Sequence, residues 1–573
     1  MERKRYQVGF ALPTVLITSI VMMIVLLSAL TVASSVQASL RQNYYDRIAR
    51  NAAESGSAYA EKCLTSGEYT ENITITPGKN CNGVNSGNQN FVVKSGNVES
   101  TFSYVITPVA SDDKTKLVSV KGSAVVTGKL GGASSRVVNS ELKQRFSLEQ
   151  DKDEVRATKR YWRFGKGAVL DFRKSGDLRY SSSGGTATAL EGSTTVSDKN
   201  GNLLFWSDGI TIYNKTNQPM RDGGGLLGST SATQAVAAFP LDSQYNKIGV
   251  VSNTSKNETG LGRLYFSVVD MTQEGGLGRV VSKNQALGSG DYAQEGIGAM
   301  PSNRQGKFWV YTYNWDNSNL RITRFLVGSD GASGSAVTQV LSPGRPTCSD
   351  TFMGYGTFNF SDDYRKMLLY AGLYRCNNDT SGRAYIMNTN SKDGSLSLEA
   401  NWATSASEVG AGYSADFSPN EKYVYVTNIY PGKLMRYALE DSVTGTRNNS
   451  TEIKNTEWVA SGNLSSLTSY PSGASGTSGS GPAHQSGGQV LRGPDGRMYI
   501  ADQSYLYGQL FQGLATNSTC YISVINKPNA ENPGDISFKI SGSLGSVTLS
   551  SNTCSAFGLP QMATVFEPKV VLY

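Results

Sequence analysis

Between Arg5 and Arg41 the chain carries no charged residue: a short polar stretch holding Arg3, Lys4 and Arg5 leads into VGFALPTVLITSIVMMIVLLSALTVASSVQASL. About 20 apolar residues at 1.5 Å each span a bilayer core, so this run is long enough to cross one. It is apolar on all faces, unlike the core helix of a soluble domain, and longer than the apolar part of a secretory signal. The expectation is a membrane-inserted helix with its basic cluster on the cytoplasmic side.

The helical pattern continues beyond Leu40. RQNYYDRIARNAAESGSAYAEKCL mixes charges with Ala and aromatics, and Tyr45, Ile48, Ala49, Ala52 and Ala53 share one stripe. This predicts one helix over 10–63, roughly 80 Å long at 1.5 Å per residue. Gly67, Pro77-Gly78 and Asn82-Gly83 then punctuate a loop, followed by NFVVK, ESTFSYVITPV, KLVSVKGSAVVTG and SSRVVNSELKQRFSLE. Phe102, Tyr104 and Ile106 fall on one face at the period-two spacing of a half-buried strand. An antiparallel sheet over 64–149, laid on the second half of the helix, is expected.

A very short basic leader ending in Gly9 directly before Phe10, then an apolar rod and a small sheet, resembles the type IV prepilins. The resemblance implies a leader over 1–9, cut after Gly9 by prepilin peptidase on the cytoplasmic side, and N-methylation of Phe10. It further implies residence in the cytoplasmic membrane before assembly, other pilins as partners, and an extracellular pilus as destination. One residue departs from the pattern. The fifth residue after the cleavage point is usually Glu, which neutralises a neighbour's amine in the filament core; here it is Thr14. A buried unpaired ammonium is costly, so Thr14 favours a minor or tip subunit, which has no further neighbour to neutralise.

At 573 residues the length suggests two to four domains, and only 17% of residues are charged while Gly and Tyr are abundant. That is the composition of an extracellular β-rich protein. The net charge of +7 is not gathered into a basic run with interleaved aromatics, which argues against a nucleic-acid partner. Cys63, Cys81, Cys348, Cys376, Cys520 and Cys554 form sequential pairs 18 to 34 residues apart and suggest three local disulfides, although six cysteines allow fifteen pairings. No CxxC occurs, and the single histidine, His484, lies in a Gly/Ser stretch, so no metal site is expected.

EQDKDEVRATKRYWRFGKG, dense in both charge signs, reads as a linker over 150–164; a basic patch of Lys159, Arg160, Arg163 and Lys166 for anionic polymers is the alternative. From 165 to 573, short strand-like runs alternate with Gly, Asn, Asp and Ser turns. A strand, a turn of the SPNEK or GPDGR kind and a second strand recur at intervals that fit four-stranded blades, which predicts a β-propeller of about seven or eight blades. The expected fold class is therefore an α+β pilin-like module followed by an all-β propeller. NGNLLFWSDGITIYNKTNQPMRDGGGLLGSTSATQAV, GPDGRMYIADQ, CYISVINKPNAENPG and FGLPQMATVF resemble the propeller region of large secreted surface proteins of the Bacteroidetes. That resemblance implies a fold and an extracellular address, and no chemistry.

Little in the motifs points to catalysis. The steps Asp208-Gly209, Asp330-Gly331, Asp393-Gly394 and Asp495-Gly496 read as hairpin turns in preference to calcium ligands. DGGGLLG, over 222–228, lacks the Lys-Ser/Thr of a phosphate loop. Asp362-Asp363 falls in the turn FSDDYRK and Glu440-Asp441 at a strand end in YALEDS, and both read as solvated tips. No catalytic residue, cofactor or metal is expected, and an enzyme would need a buried carboxylate cluster or metal at the propeller centre. Trp309, Tyr311 and Tyr313 alternate on one strand and read as packing, whereas Trp315, Tyr505 and Tyr507 fall at strand ends or in loops and are the ligand-contact candidates. The Gly/Ser stretch from Ser469 to Gly488 reads as disordered. The function expected is a minor, tip-located type IV pilin whose propeller is an adhesin for a glycan or host-cell envelope; the alternative is a priming or capping subunit of a pilus or pseudopilus.

Overall fold

The computed structural model describes residues 11–66, 69–86, 91–109, 112–127, 135–150, 156–174, 180–182, 189–260, 262–304, 306–316, 319–341, 354–372, 382–404, 412–428, 434–439, 450–452, 486–503, 521–536, 538–539, 547–548, 558–561 and 568–572. The uncharged run and the polar stretch after it form one helix, α1 (Ala11–Ser66). From Val15 to Leu40 its large apolar side chains are between 50% and 68% exposed. Among the described residues it is the one helix long and apolar enough to cross a membrane. Its hydroxyls are satisfied within the helix: Thr18 Oγ1 donates to Thr14 O at 2.7 Å, Ser19 Oγ to Val15 O at 2.7 Å and Ser28 Oγ to Ile24 O at 2.8 Å. Such back-bonding is what allows Ser and Thr to enter an apolar medium.

The chain divides into two units, Met1–Leu148 with Val570–Tyr573, and Glu149–Lys569. In the first, the predicted segments form β1 (Thr74–Ile75), β2 (Val93–Ser95), β3 (Val98–Val109), β4 (Asp112–Val126) and β5 (Arg136–Gln150), in the order β1-β3-β4-β5 with β2 beside β3. The period-two reading holds: Phe102, Tyr104 and Ile106 are buried, and so are Val118, Val120, Ala124, Val138 and Phe146 on the neighbouring strands. Against this face lie Ala49, Ala53, Ala60 and Cys63 of α1. Small residues permit the close approach, since a Cβ on Gly122 of β4 would stand 2.1 Å from Ala49 O and 2.4 Å from Ala53 N. A Cys63–Cys81 disulfide, Cα–Cα 5.6 Å, ties the following loop to the helix end.

Among the described residues the second unit is built mainly of short strands in several sheets. β6 (Tyr161–Phe164), β7 (Ala168–Asp171) and β8 (Tyr180–Ser182) form one antiparallel sheet. β9 (Ser193–Ser197), β10 (Leu203–Ser207), β11 (Thr211–Asn214) and β12 (Pro219–Gly224) form an antiparallel run. It joins a second run of β13 (Val236–Pro240), β14 (Lys247–Asn253), β15 (Leu264–Asp270) and β16 (Arg279–Ala286) through one parallel pairing, Arg221 opposite Arg279. Three four-stranded sheets follow: β17 (Gly298–Pro301), β18 (Phe308–Asp316), β19 (Asn319–Gly328) and β20 (Gly331–Leu341); β21 (Gly356–Phe360), β22 (Lys366–Gly372), β23 (Gly382–Thr389) and β24 (Leu396–Thr404); β25 (Gly412–Phe417), β26 (Tyr423–Asn428), β27 (Leu434–Ala438) and β28 (Ser450–Glu452). The last sheet holds β29 (Ser486–Arg492), β30 (Met498–Gln503), β31 (Tyr521–Ile525), β32 (Phe538–Lys539) and β33 (Val547–Thr548).

First strands of successive sheets stand side by side, β6 next to β9 and so on through β13, β17, β21, β25 and β29. The β6–β8 sheet packs Trp162, Phe164 and Leu170 on Tyr499, Ala501, Ile522 and Val524 of β30 and β31, so the array is nearly closed and propeller-like. β34 (Pro560–Gln561) runs parallel to β9, Pro560 opposite Ser193, and β35 (Pro568–Leu572) pairs with β5 of the first unit. The structure differs from the expected boundaries here. The second unit is spliced between two strands of the first unit's sheet, and β6 begins inside the stretch expected to be a linker.

The recurring turns, which vary in length, share two features. Leu241, Ser302, Ser361, Ser418 and Gly493 donate N–H to the carbonyls of Lys247, Lys307, Lys366, Tyr423 and Arg497 at 2.7–3.0 Å. In each turn one residue adopts positive φ: Tyr245 (58°), Gly306 (70°), Tyr364 (56°), Glu421 (59°) and Gly496 (78°). Gly122→Val is expected to destabilise the first unit by about 1–3 kcal/mol by overpacking the helix–sheet contact, seen as a lower midpoint for that unit's thermal transition with the second unit's transition unmoved.

Candidate functional site

Because the first strands run the same way, their starts gather at one end of the second unit and their ends at the other. At the starting end stand two buried carboxylates, Glu191 just before β9 (7% exposed) and Glu295 just before β17 (2%). Glu191 accepts from Ser231 Oγ and from Tyr413 Oη of β25, both at 3.0 Å. Glu295 accepts from Thr233 Oγ1 at 2.7 Å and Ser255 Oγ at 3.2 Å. Burial, then the charges of Glu191 and Glu295, push the Tyr413 hydroxyl well above the ordinary tyrosine value, so it remains a donor. The arrangement fastens three sheets together through neutral hydroxyls. Among the described residues no three His, Cys, Asp or Glu converge as metal ligands.

At the other end the turns surround a charge cluster. Arg492, whose side chain is 9% exposed, lies 3.3 Å from Asp416, 3.5 Å from Asp362 and 3.5 Å from Glu421, and Arg156 lies 3.5 Å from Asp362. The Arg492 backbone N–H donates to Asp416 Oδ2 at 2.8 Å and its Nη2 donates to Phe360 O. Glu421 owes its place to the positive-φ position of its turn, from which Oε1 also accepts from Asp362 N at 2.8 Å. Burial acts against the Arg492 charge, but Asp416, Asp362 and Glu421 outweigh it and hold the guanidinium protonated. For Asp416 burial prevails over Arg492 and lifts its carboxyl above the usual value. Lys159, preceding β6, is moved down by burial, partly offset by Asp362. Lys159, Phe358, Phe360, Asp416, Arg492 and Gln561 line a cavity of about 50 Å³.

Several sequence-predicted residues find a different place. Trp315 lies in β18, 8% exposed, inside the apolar cluster with Trp309, Tyr311, Tyr313 and Leu320. It stands at the strand end, on the same face as Trp309, Tyr311 and Tyr313, and packs with them. Arg163 is buried, its guanidinium 4.2 Å from the Trp206 ring centroid and donating to Phe164 O at 2.8 Å; with Lys159 at the cavity, a surface patch of Lys159, Arg160, Arg163 and Lys166 is not formed. The Asp-Gly steps are turns: Gly209, Gly331, Gly394 and Gly496 have φ of 95°, 97°, 70° and 78°. Their carboxylates accept from Ile210 N, Lys307 Nζ, Ser395 N and Arg497 Nε. Asp222 accepts from Arg279 Nε at 2.8 Å within β12, where the glycine-rich stretch begins. Gly9, Phe10, Cys348, Cys376, Glu440, Asp441, His484, Tyr505, Tyr507, Cys520 and Cys554 lie outside the described residues.

Sequence reasoning missed Glu191, Glu295 and Tyr413 because no local motif joins them; Glu191 and Tyr413 are 222 positions apart. It named Lys159 for another role, and it placed Asp362 correctly in a turn without seeing that turns from three sheets meet there.

No protein-family model matches the chain, and no curated protein matches it. Among solved structures it is similar to a Bacteroides uniformis protein carrying the provisional name 6-phosphogluconolactonase, with 15% identity, TM-score 0.33, and 60% of this chain and 79% of that one covered. It is also similar to a periplasmic gluconolactonase of Pseudomonas aeruginosa, with 14% identity, TM-score 0.30, and 58% and 79% covered. A chain of a nidogen/laminin complex matches at 12% identity and TM-score 0.26, with 51% and 91% covered. At these values the likenesses carry no weight for chemistry.

Removing one member of the buried pair leaves the other charge uncompensated, so Arg492→Met is expected to cost about 3–5 kcal/mol, read from denaturant unfolding of the second unit. The Asp416 carboxyl binds its proton more tightly folded than unfolded, so between the unfolded value near 3.9 and the folded value the native state holds more protons. Its contribution to stability therefore falls as pH rises through that window. Asp416→Asn is expected to flatten that slope in a pH series of unfolding midpoints.

Proposed function

We propose that the chain is a minor, tip-located type IV pilin whose second unit is a β-propeller adhesin. The observation that carries this reading is the chain path: an exposed, charge-free helical half, a second half packed through small residues on an antiparallel sheet, and a large β unit spliced into that sheet between β5 and β35. Gly9 and Phe10 supply the processing site read from the sequence, and Thr14 removes the carboxylate that a repeating shaft subunit uses. Counting the nine-stranded sheet as two blades, the second unit has seven.

Its recognition face is the end carrying Glu191 and Tyr413. The connections from first to second strands, at the turn end, are tight hairpins, whereas those from second to third strands and from each sheet to the next leave the opposite end. The Glu191 and Glu295 oxygens are engaged by hydroxyl donors of the fold, which favours a binding role over a hydrolytic one. The partner is a surface glycan or host-cell envelope, without cofactor or metal.

Replacing 151–567 with a short Gly/Ser linker between β5 and β35 is expected to leave pili at normal number and abolish attachment, and on wild-type cells immunogold label on the second unit should be confined to filament ends. Loss of pili in that strain would support a capping subunit instead, and label along the shaft would remove the tip assignment. Gly9→Val is expected to leave an uncut precursor in the membrane fraction.

A further inference from the structure

The chain enters and leaves the second unit at the same end, beside the turns. On the way in, Arg156 stands 3.5 Å from Asp362, and Lys159 lines the turn-end cavity just before β6. On the way out, β34 runs parallel to β9 and so points from the end carrying Glu191 toward the turns, where Gln561 reaches the same cavity. Between those ends the closing segment over 558–561 is buried throughout. Its start is packed too closely for a side chain, since a Cβ on Gly558 would stand 1.6 Å from Glu191 O. Its polar contacts go to two sheets: Leu559 N donates to Gln489 Oε1 of β29 at 2.8 Å, and Gln561 O accepts from Thr194 Oγ1 of β9. The next residue of β9 serves the entry, as Thr195 Oγ1 accepts from Arg163 N at 3.0 Å and donates to Arg163 O at 3.1 Å. One strand therefore holds the incoming strand by Thr195 and the outgoing strand by Thr194, and both side chains are buried.

The chain crosses between the units only at 148–149 and 569–570, so tension carried by the chain enters the array through β6 and β34. A pull between the first unit and the end carrying Glu191 draws β34 along its own length. Its bonds to β9 and β29 lie across that direction and are strained together instead of one by one. We propose that the segment over 558–561 is a tension-bearing tie. Thr194 and Gln489 grip it and pass the pull to β9 and β29, and Glu191 passes it through Tyr413 to β25, so the array stays closed while its far end is held. The tie rests on the adhesin reading for the source of the pull, and on the contacts alone for its strength.

The test pulls single full-length chains in detergent at constant force, with one handle after Tyr573 and a second on exposed Ser289, between β16 and β17 at the recognition end. This geometry draws β34 lengthwise. In the wild type the first rupture should take many times longer than with the second handle on exposed Lys422, in the turn between β25 and β26, from which β34 is peeled sideways. Thr194→Val and Gln489→Met should each shorten the lengthwise lifetime about fivefold, the worth of one hydrogen bond. Neither should alter the lifetime measured between Ser289 and Lys422, which loads the sheets and bypasses the tie. Equal wild-type lifetimes in the lengthwise and sideways geometries, no shortening in either variant, or equal shortening between Ser289 and Lys422 would overturn the proposal and make the segment ordinary packing. The wild-type comparison decides the matter should a variant fail to fold. No ligand enters the measurement, so failure of the adhesin reading, seen as normal attachment without the second unit, is distinct from failure of the tie.

Discussion

A sheet edge presents unpaired N–H and C=O groups that must be covered, and in this chain two short strands close to each other in sequence cover edges in both units. β34 runs parallel to β9 at the start of the propeller-like array, and six residues later β35 pairs with β5 of the first unit. Neither strand is long enough to be stable alone. Thr194 Oγ1 adds a hydrogen bond to Gln561 O, and Gln489 Oε1 accepts from Leu559 N at 2.8 Å, so the closing segment is held by side chains of both flanking sheets. Such contacts span hundreds of residues and cannot form before the intervening sheets have been placed, which makes closure a late event in folding.

The interior between sheets is built from aromatic and aliphatic side chains, whereas the two ends of the array are fastened by polar groups. This division follows from solvation. Between sheets, Trp162, Trp206, Trp402 and buried tyrosines including Tyr311, Tyr370 and Tyr425 remove large apolar areas from water. At the ends the backbone turns and exposes polar groups that need partners, and the chain supplies Glu191, Glu295 and Tyr413 at one end and Arg492 with three carboxylates at the other. Buried charges stabilise less than apolar packing of equal volume, but they tolerate few alternative arrangements. Tyr413 reaching Glu191 fixes which sheets meet.

Legibility in the sequence followed the range of the interactions. Helix α1 was visible because composition alone decides it, and Phe102, Tyr104 and Ile106 because the period of a strand is local. The Cys63–Cys81 pairing fell within reach of one loop. The positive-φ turns were visible as SPNEK and GPDGR, although Tyr245 and Tyr364 occupy the same conformation with no Gly or Asn to signal it. Trp315 stands one residue from the end of β18, as its place at a strand end suggested, but it is buried in the apolar cluster, which the local sequence does not show. β34 and β35 have no readable pattern: Pro560-Gln561 is too short for a period, and β5, the partner of β35, lies on the far side of the whole second unit in sequence.

Splicing has a consequence that appending would not. A unit attached at one end leaves the preceding sheet complete, whereas here β5 gains its outer neighbour only from residues beyond the whole second unit. The first unit's sheet is therefore finished by chains that have carried the second unit through to β35. On the reading proposed above, in which helix and sheet form the assembly surface of a filament subunit, that dependence would bias incorporation toward molecules that already carry the second unit, with the selection made by one five-residue strand.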